Sequence, residues 1–137
     1  MCYIEPSTAT AAAEALAAAF GPIRKAMVIF DGTPFGDDQS PGKTDWPDWR
    51  AFREWRRALS EARRLADAPA HRLEHGEDER LRALLEHAIK LGWDARILVE
   101  PGGWAFRLSH DDRIEFVSGA SRKQAARALA HLGWRRA

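Results

Sequence analysis

Between Leu81 and Trp134 the apolar residues change their spacing twice, and that change restricts the fold more than any other feature of the chain. Leu81, Leu84, Leu85 and Ala88 follow the 3.6-residue repeat of a helix, with Glu77, Asp78 and Glu79 in a first turn where they suit the helix dipole. Three short runs then alternate with period two. Ile97 and Val99 alternate with Arg96 and Leu98; Trp104, Phe106 and Leu108 with Ala105, Arg107 and Ser109; Ile114 and Phe116 with Arg113, Glu115 and Val117. The helical repeat returns at Ala125, Ala128, Leu129 and Leu132, opened by a capping box from Ser121 to Gln124. Gly92 and Gly133 follow the last apolar turns of the two helices, where a left-handed cap is needed. Pro101-Gly102-Gly103 and His110-Asp111-Asp112 supply the turns. The spacing predicts an αβββα module over residues 77–134, its sheet covered by helices on one side only.

Upstream, residues 1–70 read as a helical extension with one short strand, within a single domain of 137 residues. Ser7 or Thr10 is placed to cap an alanine-rich helix that Gly21-Pro22 stops near Phe20. Ala26 to Phe30 forms a strand available as a fourth member of the sheet, and Asp31 to Asp45 a long Gly-, Pro- and Asp-rich loop. Asp45 and Pro47 then start a helix with Phe52, Trp55, Leu59, Ala62 and Ala66 on one side and Arg50, Arg53, Arg57 and Arg64 on the other. Those arginines are either a solvated face paired with Glu54 and Glu61 or a ridge for an acidic partner. Pro69 is expected to end that helix. The fold class is α+β, with three antiparallel strands, or four, packed by helices.

The lone Cys2 excludes an intrachain disulfide and suits a reducing, cytoplasmic setting. No charged run precedes an apolar one at the start, and the stretch around Glu14 is too short and weakly apolar to cross a bilayer, so no membrane partner is expected. Charge is uneven. Residues 118–137 carry Arg122, Lys123, Arg127, Arg135 and Arg136 and no acid, so a basic face can come only from this end and from the helix near Trp49.

Enzymatic motifs are few. His71-Arg72-Leu73-Glu74-His75 has the order of inverted zinc peptidases, but Pro69 and Gly76 leave it barely one helical turn, and it reads as an adventitious pair rather than a metal site. Asp31, Asp37 and Asp38 lack a partner base, lysine or phosphate cradle and read as loop solvation. No cofactor, metal or catalytic residue is expected. Of the six tryptophans, most belong to the core, while Trp46 and Trp49 are placed to be binding anchors if exposed.

The C-terminal segment resembles the double-stranded RNA-binding domain, through Gly119, Ser121, Arg122, Lys123 and Ala125 in VSGASRKQAARALA and Phe106 in the second strand. The resemblance implies duplex RNA held across the major groove by the start of the last helix, a helix N-terminus with cations being an anion site. RNase toxins of the same fold use a strand histidine; here Trp104 follows Gly102-Gly103, and RNase activity is not implied. The expectation is a non-enzymatic binding or regulatory protein that engages nucleic acid through Ser121, Arg122, Lys123 and Arg127, with Arg50, Arg53, Arg57 and Trp49 as a second surface. The alternative is an inhibitor or adaptor acting by protein contact, as small mobile-element or anti-defence proteins do.

Overall fold

The computed structural model describes residues 2–3, 8–32, 47–63, 67–111, 113–117 and 119–132. Its elements are β1 (Cys2–Tyr3), α1 (Ala9–Phe20), β2 (Lys25–Gly32), α2 (Pro47–Ala58), β3 (Ala70–Glu74), α3 (Asp78–Leu91), β4 (Asp94–Glu100), β5 (Trp104–Ser109), β6 (Arg113–Phe116) and α4 (Gly119–Leu129), with a 3-10 turn over Ala130–Leu132. The fold is α+β. All strand pairings are antiparallel, in an open sheet ordered β1-β6-β5-β4-β2-β3.

The αβββα order is as expected from the spacing, and Gly92 caps α3 in the left-handed conformation (φ 59°, ψ 45°), donating to the carbonyls of Ala88 and Ile89. Gly102 is required for a second reason: at φ 100° a Cβ there would lie 2.9 Å from the Trp104 indole nitrogen. The sheet is larger than three or four strands. β2 does join it, but centrally, hydrogen-bonded to β4 on one side and β3 on the other. Residues 1–70 thus share one core with the module.

The alanines of α1 explain how. Ala9, Ala12, Ala13, Leu16 and Phe20 are buried at helical spacing, and their small side chains let α1 pack against both α3 and α4. Phe20 then reaches the sheet, its ring centroid 4.9 Å from that of Trp104 and 5.7 Å from that of Phe106. Thr10 does not cap α1. The helix begins after Thr8, which makes no side-chain cap bond, Thr10 lies inside it and donates to Glu86, and Ser7 lies outside the described residues.

The arginine-rich helix departs most from expectation. α2 stops at Ala58, well before Pro69, because the Leu59 and Glu61 amides both fold back onto the Arg56 carbonyl and Ser60 turns left-handed (φ 64°). Phe52 is fully buried among Phe30, His87 and Trp93. Trp55, expected in the core, is only half-buried and stacks on Phe52, while Ala62 is exposed. Arg56 is 4% exposed, lies over the Phe52 ring and donates to the Ala68 carbonyl at 3.2 Å. Glu61 pairs with Arg63 rather than with the helix face. Arg64, Ala66, Asp45, Trp46, Gly133, Trp134 and the 33–44 stretch of the long loop lie outside the described residues.

The zinc-like string is no helix at all. His71 to Glu74 belong to the edge strand β3, and His75 opens the following turn. His71 pairs with Val28 and packs edge-on against Phe30, on the covered side of the sheet, with neither ring nitrogen in good hydrogen-bonding geometry among the described residues. Burial, then the neighbouring Arg56, lowers its pKa from 6.5 to about 4. His75 instead donates through Nδ1 to the Ile23 carbonyl, whose residue also gives its amide to Asp78.

Candidate functional site

Period-two alternation with the described helices on one side leaves the other side without a helix among the described residues. Ala26, Val28, Phe30, Ala95, Ile97, Val99, Trp104, Phe106, Leu108 and Ile114 are buried under the helices. Their neighbours in sequence form the opposite face. Met27 on β2, Leu98 on β4 and Ala105 on β5 stand in direct register there, as the floor of a groove of about 420 Å³. Leu98 is 50% exposed, in contrast to the fully buried Ile97 beside it.

Charged rows frame this floor. On one side run Glu74, Lys25 and Glu100, in register across β3, β2 and β4. Arg72 holds Glu74 and Arg24 holds Glu100, both at 3.0 Å, whereas Lys25 forms no ion pair among the described residues. On the other side run Ile29, Arg96 and Arg107. Arg96 meets Asp31 at 2.7 Å, and Arg107 lies 3.3 Å from Asp94 and 3.8 Å from Glu115. Burial would raise the Asp94 carboxyl, but hydrogen bonds from the His110 amide and ring, with Arg107 nearby, outweigh it and hold the pKa low.

The residues singled out from sequence lie elsewhere. Lys123 and Arg127 are exposed on α4 and make no ion pair among the described residues, as do Arg50 and Arg57 on α2. Arg53 is half-buried. Trp49 falls in the first turn of α2 and Ser121 and Arg122 in that of α4; their side chains lie outside the described set. Because α4 starts at Gly119, Ser121 is its third residue and not its cap, which corrects the capping-box reading. The two cationic groups do not merge. α2 packs on α3, α3 on α1 and α1 on α4, which puts the groups at opposite ends of the helical layer. Between them the α3 surface carries Glu79 and Glu86 bridged by Arg82 and Lys90.

Among the described residues no three His, Cys, Asp or Glu side chains gather as a metal would require, and no helix is long and apolar enough to cross a membrane. No protein-family profile matches the chain, and neither the curated proteins nor the solved structures give a match. Fold and surface define a helix-backed antiparallel sheet with one open, mixed-charge face. The sequence predicts a sheet covered on one side only and marks Leu98 as an alternating residue, but does not show Met27, Leu98 and Ala105 as one surface, since only the positions of β2 and β3 make the open face wide.

Proposed function

We propose that this chain is a non-enzymatic binding protein that acts by contact with another protein, through the open face of its sheet. The observation that carries the proposal is the apolar floor of Met27, Leu98 and Ala105, left uncovered at the centre of the sheet and framed by charges largely neutralised within the chain. Apolar centres with polar rims are the usual anatomy of protein interfaces. A phosphate backbone is served instead by a continuous unpaired basic surface, and the cations without an ion pair among the described residues are scattered, Arg50 and Arg57 on α2, Lys123 and Arg127 on α4 and Lys25 on β2.

The test compares affinity capture from cells of the source organism using the wild-type chain, Leu98→Asp, and Lys123→Glu with Arg127→Glu. Protein partners lost with Leu98→Asp and kept by the double variant support the proposal. Duplex RNA binding at low salt that the double variant abolishes and Leu98→Asp leaves intact would replace it with the nucleic-acid reading at the start of α4.

A further inference from the structure

α2 stands at one end of the helical layer, beside α3, and docks through Phe52, Trp55 and Arg56. We propose that this docking is an acid-sensitive latch: protonation of the His71 ring beside the buried Arg56 guanidinium releases α2 from the sheet and uncovers Phe30 and Trp93. The device is separate from the open face, which lies on the other side of the strands.

The fold confines a cation and a titratable ring in one place. Arg56, 4% exposed, lies over the Phe52 ring and donates to the Ala68 carbonyl just before β3 begins. His71, the second residue of that strand, packs its ring against Phe30, and Phe30 in turn meets Phe52 at 6.0 Å between ring centroids. Both His71 ring nitrogens are shut off from water, and neither has an acceptor in good geometry among the described residues. A neutral ring tolerates this at modest cost. An imidazolium has two N–H donors to satisfy and a charge to solvate.

The surrounding charges act in both directions. Arg56 of α2 opposes protonation, while Glu61 in the turn after α2 and the Pro69 carbonyl favour it. Glu61 is held by Arg63 at 2.6 Å, and burial with Arg56 outweighs its attraction. Arg53 of α2 is half-buried, and His87 of α3 contacts Phe52 and Trp55 within the same docking surface. Arg72, next in the strand, pairs with Glu74 on the open face. The ring is therefore held neutral while α2 is docked and regains its ordinary pKa of 6.5 when α2 leaves. This contribution to docking is complete above about pH 6.5 and is lost as pH falls from there through 4. α2 yields before the rest of the fold because α1, α3 and α4 cover the sheet through contacts of their own, among them Phe20 on Trp104 and Phe106.

The test follows amide hydrogen exchange in the full chain, corrected for its intrinsic pH dependence, together with the NMR titration of the His71 ring. Between about pH 7 and 4.5 the amides of Phe52 to Ala58 should lose protection at least about tenfold, the weight of one pKa unit, while those of β4 and α3 keep theirs. The ring should titrate over the same range. His71→Phe, and His71→Gln should phenylalanine disturb the packing, should make α2 protection independent of pH, circular dichroism confirming the fold at pH 7. His87→Gln should retain the pH dependence. Constant α2 protection, loss in step with β4, loss that persists in the His71 variants or is abolished by His87→Gln, or a ring that titrates apart from the release would each overturn the latch.

Discussion

Ile97 and Leu98 are neighbours on one strand, similar in size and chemistry, yet one is fully buried and the other half exposed. The two faces of the sheet differ in the same way throughout. The covered face concentrates the stabilising burial, with Phe20 in contact with both Trp104 and Phe106 and with Phe30, Phe52 and Trp93 in a second aromatic group. The open face carries apolar side chains, Leu98 half-exposed and Met27 and Ala105 partly so, that no described helix covers, and charges held in exposed pairs, which contribute little to stability. Stability and recognition are thereby assigned to opposite sides of the same backbone, so each can be disturbed without the other.

That division can be broken or sharpened by measurement. Trp93→Ala, on the covered side, should cost about 3 to 5 kcal/mol in denaturant melts, and the half-buried Trp55 distinctly less on truncation. Arg56→Ala should cost about 1 to 3 kcal/mol, because the buried Ala68 carbonyl loses its donor along with the packing on Phe52. Arg56→Gln, which can still donate, should recover part of the loss.

His71 marks the rim of the covered side and gives it a pH signature. Its folded pKa, about 4, lies below the usual 6.5, so folding favours the neutral ring. That contribution is complete above about pH 6.5 and is lost as pH falls from there through 4. Melts between pH 7 and 4 should show this loss in the wild-type chain and a flatter profile in His71→Phe; parallel profiles would remove His71 from the account. The smallest effect is expected on the open side. Leu98→Asp should change stability by no more than about 0.5 kcal/mol, and a loss comparable to that of Trp93→Ala would mean that the face is covered within the chain itself.

The C-terminal module was legible because each of its elements carries its own signal. Alternation marks β4, β5 and β6, a left-handed glycine ends α3, and Ala125 and Leu129 bury one side of α4. β3 was not legible. Its sequence, Ala70 to Glu74, offers one large apolar residue, Leu73, and becomes a strand because β2 supplies hydrogen-bond partners along its length. α2 misled for a related reason. Its apolar spacing continues through Ala62, but the helix ends at a left-handed Ser60, a position usually announced by glycine. Nor could a helical wheel show Arg56 buried, since it takes the Ala68 carbonyl and the Phe52 ring to compensate a guanidinium there.

The sequence alone determined the α+β class, the order αβββα and which side of each C-terminal strand is apolar, because periodicity, caps and turns act over a few residues. The tertiary structure decided the sheet order, the insertion of α1 between α3 and α4, the separation of the cations on α2 from those on α4, and the breadth of the open face. These depend on pairings between residues far apart in the chain: Met27 lies beside Leu98 only because β2 crosses back to β4. No local pattern encodes that choice of neighbour; it follows from which arrangement buries the alanine face of α1 and the inner face of β2 together.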